Sequence, residues 1–171
     1  AFIPHCDDLR LKVKFYTEAG IFYLSTKKYE QAVFHFNKAI RKADKIGNQT
    51  SVSLNLNNLA FLHKETKNYE KAVRCANLAI ETAIKINNRG WLPHFLDTKA
   101  LIYLDTERFD AALEVINQAI EIFREGEDAA AVAAGQAGRP RAPAGADVAV
   151  STVPEADAYV MLLAGLGLMG F

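Results

Sequence analysis

Tyr29-Glu30-Gln31-Ala32-Val33 decides how this chain is read, because it returns twice. It recurs as Tyr69-Glu70-Lys71-Ala72-Val73 and as Phe109-Asp110-Ala111-Ala112-Leu113, 40 residues apart each time. Ten residues after each leading aromatic stands Ala39-Ile40, Ala79-Ile80 or Ala119-Ile120. Upstream, Ala19-Gly20, Leu59-Ala60 and Lys99-Ala100 share one offset, and Tyr23, His63 and Tyr103 share another. Three copies in register without a gap define an internal repeat, so one 40-residue unit is what has to be explained.

Each unit reads as two helices. Tyr29, Ala32, Val33, Phe36, Ala39, Ile40 and Ala43 recur at three- and four-residue steps, an apolar helical stripe, and Phe15, Ala19, Phe22 and Tyr23 form another before it. Short polar turns separate the halves: Thr26-Lys27-Lys28, Thr66-Lys67-Asn68 and Thr106-Glu107-Arg108. Longer polar stretches separate the units, with breaks expected near 47–50 and 88–91. Gly47 and Gly90 stand where helix C-termini are expected, and Pro93 falls in a first helical turn. The small residues Gly20, Ala60, Ala100, Ala32, Ala72 and Ala112 let paired helices approach closely, while Ala39, Ala79 and Ala119 make room for the next hairpin. Cys75 and the aromatics Tyr16, Phe22, Tyr23, Phe34 and Phe36 read as core. One hairpin cannot bury both its faces, so stability must come from stacking. The expected fold is all-α, a solenoid of three stacked helical hairpins over residues 9–48, 49–88 and 89–126, within a repeat domain of residues 1–126.

The pattern resembles the tetratricopeptide repeat: a small residue and a tyrosine in the first helix, then Tyr-Glu-Gln-Ala-Val and a later alanine in the second. The resemblance covers residues 9–126. The usual unit of that family is about 34 residues; the 40-residue spacing is similar to the longer variety in kinesin light chains and bacterial peptide-sensing regulators. His63 stands in place of a tyrosine, Lys99 in place of an apolar residue, and no proline closes a unit.

The resemblance implies a non-enzymatic scaffold whose first helices line a groove for a peptide or a partner protein. The groove side should then carry Lys14, Thr17, Glu18, Ile21 and Ser25 in the first unit. Leu54, Asn57, Asn58, Phe61 and Lys64 follow in the second, and His94, Asp97, Thr98, Leu101 and Asp105 in the third. Single charges of both signs among apolar residues do not make a basic clamp for a carboxylate. In the longer-repeat relatives an asparagine just before the Leu-small pair points into the groove, and a carboxamide can both donate to and accept from a peptide backbone. Asn58 holds that position, with Glu18 and Thr98 as its counterparts, so the ladder of asparagines is incomplete. Asn58, with Asn57, Phe61 and Lys64, is the expected centre of the binding face.

Other functions find little footing. Lys plus Arg and Asp plus Glu are each 20 of 171 residues, and this neutrality argues against a dedicated nucleic-acid binder. Cys6 and Cys75 alone cannot make a disulfide framework and leave a reduced compartment open. His5, His35, His63 and His94 include no pair three or four residues apart on one helix face with a carboxylate, so no metal site is expected. Residues 1–126 hold no glycine-rich phosphate loop, and neither a catalytic residue nor a cofactor is expected. Asn48-Gln49-Thr50 fits a glycosylation triplet without a secretory context to give it meaning.

Composition changes abruptly at residue 127. All 12 Lys, 10 Asn and 11 Ile lie before it, and 22 of the 45 residues after it are Ala, Gly or Pro. Residues 127–152 read as a disordered linker, with Ala129 to Ala134 able to prolong the last helix. Residues 153–171 read as a short apolar tail that does not pack on the repeats. Val153-Pro154-Glu155 followed by a Leu- and Gly-rich stretch resembles a truncated PEP-CTERM sorting tail, with Ala156 where a proline is usual and no arginine cluster. Its 14 apolar residues fall short of the ~20 that span a bilayer. The chain opens on Ala1-Phe2-Ile3 and stops inside an apolar run, which reads as a fragment. A cytoplasmic interaction module is the expectation. One alternative is the sensor part of a bacterial regulator whose effector domain lies beyond the fragment. The other is an exported, envelope-associated protein, with a membrane in play only if the tail is a sorting signal.

Overall fold

The computed structural model describes residues 8–133, with side chains through residue 126. The described residues form six α-helices and no strand. They are α1 (Leu9–Ser25), α2 (Tyr29–Lys45), α3 (Gln49–Glu65), α4 (Tyr69–Lys85), α5 (Leu92–Asp105) and α6 (Phe109–Ala133). The chain divides into two compact units, Ala1–Ile122 and Phe123–Phe171. The first carries the three hairpins, and the described part of the second is the last stretch of α6. The sorting-tail segment 153–171, residues 134–152 of the expected linker, His5 and Cys6 lie outside the described residues. The first residues of the expected linker, 127–133, continue α6, the prolongation that Ala129 to Ala134 allowed: no glycine or proline interrupts this Ala-rich stretch before Gly135. Among the described residues no helix is long and apolar enough to cross a membrane.

All five joints between helices are built alike. In each, one residue takes a left-handed conformation: Lys27, Gly47, Lys67, Asn87 or Glu107, with φ between 53° and 69°. The amide after it donates to a carbonyl five residues back, as Lys28 does to Tyr23 (2.8 Å), Asn48 to Ala43 (2.9 Å) and Asn88 to Ala83 (2.8 Å). The left-handed residue itself donates three back, as Lys67 does to Lys64 at 2.8 Å. This is the Schellman closure, which satisfies carbonyls that a helix end leaves open. The threonines of the short turns reinforce it. Thr26, Thr66 and Thr106 donate their hydroxyls to the carbonyls of Phe22, Leu62 and Ile102 at 2.9, 3.1 and 2.9 Å. Gly90 was expected to close a helix, but Asn87 takes the left-handed position at the end of α4, and Gly90 has no positive φ. Asparagine tolerates that conformation, so glycine was not needed there. Pro93 lies in the first turn of α5, as its missing N–H requires. Asn48 and Asn68 cap α3 and α4, accepting from the amides of Ser51 and Lys71 at 3.0 and 3.3 Å.

The alanine columns sit in the core. Ala32, Ala39, Ala43, Ala72, Ala76, Ala79, Ala83, Ala100 and Ala112 are essentially fully buried. Ala60, Ala72, Ala76 and Ile102 form one cluster, and Ala79, Phe95, Ala100, Tyr103, Ala112 and Val115 belong to another that joins α4, α5 and α6. Gly20 has a specific partner. A Cβ there would stand 2.5 Å from two ring carbons of Phe36, which is itself fully buried. The equivalent pair in the second hairpin is Ala60 and Ala76, so the first hairpin exchanges a methyl on one helix for a ring on the other. Two aromatics expected in the core are instead exposed: Phe22 and Phe34. Phe22 falls on the face of α1 whose counterparts Leu62 and Ile102 are buried in later hairpins, and Phe34 aligns with the exposed Arg74 and Glu114.

Candidate functional site

The first helices of the hairpins, α1, α3 and α5, lie side by side, and α2 and α4 are interposed between hairpins in the cores. The forty-residue register aligns the first helices position by position. Lys14, Leu54 and His94 form one row, and Thr17, Asn57 and Asp97 the next. Glu18, Asn58 and Thr98 follow, then Ile21, Phe61 and Leu101. Lys14 and Glu18 are exposed, Phe61 is exposed on the rim of its row, and Ile21, Asn57, Asn58, Asp97 and Leu101 are half-buried.

Between α1 and α3 this face opens into a depression of about 320 Å³ lined by Arg10, Val13, Lys14, Thr17, Glu18, Asn48, Ser51, Leu54 and Asn55. Its floor is polar. Asn55 is 1% exposed and exchanges hydrogen bonds with Thr17 across the two helices. The Thr17 hydroxyl lies 3.1 Å from Asn55 Oδ1 and 2.9 Å from Asn55 Nδ2, and Nδ2 also donates to the Ser51 carbonyl at 2.8 Å. The sequence reading passed over Asn55. The available signal was an asparagine where the other units carry Phe15 and Phe95.

Between α3 and α5 the same face carries Lys64. Its ammonium lies 2.9 Å from Glu65 Oε1 and 3.6 Å from Asp105 Oδ2, and 5.1 Å over the Phe61 ring. Burial pulls this ammonium down, but the hydrogen bonds and charges of Glu65 and Asp105 outweigh it, so Lys64 sits above its ordinary range. Lys64 was expected to face a ligand, and the structure spends its charge on a strut between the second and third hairpins. Thr98 is buried and donates to the His94 carbonyl at 3.2 Å, so its hydroxyl is engaged in its own helix. Asn58 is half-buried, whereas Asn57 Oδ1 and Asp97 Oδ1 are buried without a donor. Burial pushes the Asp97 carboxyl up to about 6.

Three further titratable groups among the described residues have shifted pKa values. His35 stacks on Tyr23 with ring centroids 5.1 Å apart, and burial lowers its pKa. His63 is lowered by burial and by the charge of Lys71. Burial pushes the Cys75 thiol up, away from the thiolate a nucleophile needs. Among the described residues no three His, Cys, Asp or Glu side chains group closely enough to hold a metal ion.

Two family models described as Tetratricopeptide repeat match the chain, one over residues 51–125 and one over residues 13–41. Together they take in more than half of it. The chain belongs to the tetratricopeptide repeat family. No curated protein matches it. Arrays of tetratricopeptide repeats are typically non-enzymatic interaction scaffolds and commonly bind peptides or proteins, which sets the polar rows of α1, α3 and α5 in a functional frame.

Proposed function

We propose that this tetratricopeptide repeat array is a non-enzymatic scaffold that holds an extended peptide, or an extended segment of a partner protein, along α1, α3 and α5. The observation that carries the reading is the run of half-buried Ile21, Asn57, Asn58, Asp97 and Leu101 with exposed Phe61 on adjacent first helices. Polar groups partly withdrawn from water suit a ligand backbone, and apolar neighbours suit its side chains. Asn58 can donate and accept at once, so it serves any sequence laid against it.

Selection of peptides from a random display library on the whole 171-residue chain supplies the probe. Selected peptides should bind the Asn58→Ala variant about fivefold more weakly, the scale of one lost hydrogen bond of roughly 1 kcal/mol. Peptides that bind Asn58→Ala and Phe61→Ala as tightly as the parent would place the binding face elsewhere on the chain.

A further inference from the structure

The joints between hairpins repeat as faithfully as the hairpins do. On the second helices, Val33 and Ile40 pack against the cluster that contains Leu59 and Leu62 of the next hairpin, and Tyr69 and Val73 against the one that contains Ile102. On the first helices, Leu62 and Ile102 are buried in these joints, and Asn55 and Phe95 are buried earlier on the same helices. Among the described residues, the two ends of the stack have no such cover. At one end Phe15 and Phe22 hold the positions of Asn55 and Leu62, yet both are exposed, Phe22 to 59%. At the other end Phe109, Leu113 and Ile120 hold the positions of Tyr69, Val73 and Ile80, which are half-buried. All three are exposed, Leu113 to 60%.

We propose that the two ends fit each other: α6 of one copy packs on α1 of a second copy, as α2 packs on α3 and α4 on α5 within the chain, so that copies stack head to tail. The two exposed faces are the halves of one repeated joint. Leu113 and Ile120 present an apolar pair where Val33 and Ile40 hold the following hairpin, and Phe15 and Phe22 present one where Phe95 and Ile102 meet the preceding hairpin. Nearest-neighbour joints of this kind carry much of the stability of a repeat array, and large apolar side chains gathered on an exposed face mark a contact surface. Charge selects a second copy of this chain as the occupant. Counting every Lys, Arg, Asp and Glu, residues 8–48 carry 9 minus 4, or +5, and residues 49–88 carry 5 minus 3, or +2. Residues 89–126 carry 4 minus 7, or −3. The hairpin with the uncovered α1 is positive and the hairpin with the uncovered α6 is negative, so unlike ends attract and like ends repel. This disfavours a two-fold pairing of α6 on α6. A heterologous contact leaves each pair with one free end of each kind, so copies can keep adding.

Sedimentation of the whole 171-residue chain from about 10 μM to about 500 μM should show a mass that rises past the dimer. Raising salt from about 0.05 M to about 0.5 M should lower that mass, since screening weakens the attraction between unlike ends. This salt series uses the parent alone, so it stands whatever a substitution does to folding. Phe22→Asp closes the α1 end and Leu113→Asp closes the α6 end. Both side chains are largely exposed, so both variants should melt close to the dilute parent. Each variant alone should need at least about tenfold more protein to associate, the scale of an anchor residue lost from an interface. The two variants mixed in equal amounts should form a dimer and stop there, because each still offers the half that the other has lost. A mixture that stays monomeric, an assembly that both variants leave intact, or one that ignores salt would overturn the proposal. A parent that stays monomeric throughout would overturn it too and leave another cover for α6, the chain's own residues 134–171 or a different protein.

Discussion

At the scale of single residues, Asp97 couples stability to pH. Its carboxyl rises from 3.8 to about 6 through burial, so across that interval the folded chain holds more protons than the unfolded one. Stability contributed by this group is therefore greatest below about pH 4 and is lost as pH rises through about 6. Asp97→Asn should melt higher than the parent at pH 7, and the gap should close below pH 4; melting curves across that range check it. Gly20 makes a different point. A methyl there meets the Phe36 ring at 2.5 Å, so Gly20→Ala should cost about 1–3 kcal/mol by overpacking. That cost should shrink when Phe36 is also replaced by Leu, and a double-mutant cycle on thermal stability reads the coupling. The sequence announced Gly20 as a close-approach site, because Ala60 and Ala100 share its offset. It placed Asn57 and Asp97 on the binding face but could not show that they lack donors. That depends on which side chain of the neighbouring helix reaches across, and only Thr17 has an Asn55 to do so.

At the scale of elements, the joints were legible to within a residue or two, because the repeat fixes where each helix must stop. The residue that makes the turn was less so. Gly47 was read correctly and Gly90 was not, since Lys27, Lys67, Asn87 and Glu107 accept a left-handed backbone that glycine would take more easily. A side chain at such a position costs about 1–2 kcal/mol, offset in part by the roughly 0.5–1 kcal/mol of chain entropy that glycine loses on folding. Gly47→Ala should therefore destabilise the chain, although no atom lies within 4 Å of the added carbon, and Lys67→Gly should leave stability unchanged or raise it slightly. Chemical denaturation of the two variants separates strain from crowding, because crowding is absent at Gly47. The exposed Phe22 and Phe34 show the limit of periodicity: it finds a helical stripe but does not say whether a neighbour exists to cover it.

At the scale of the whole molecule, equivalent residues differ in burial according to their place in the stack. Phe95 is fully buried and Phe15 is 42% exposed, although they hold the same repeat position. Phe95→Ala should cost about 3–5 kcal/mol and Phe15→Ala well under half of that, since the second removes little that was withdrawn from water. Equal losses in the two melts would mean that the first hairpin is covered as fully as the third. The stacking has a further consequence for how the chain comes to be folded. Among the described residues, contacts from α1 to α5 join each helix to the next or the next but one, and a core cluster ties α6 to α4 and α5. Within the described repeats no distant segments have to find each other, and helical arrays of such low contact order fold on roughly microsecond to millisecond timescales. Each hairpin is complete within its own 40 residues, so α1 and α2 can close while the codons for α5 are still being read. On the ribosome this protein can assemble one hairpin at a time, each laid on the last.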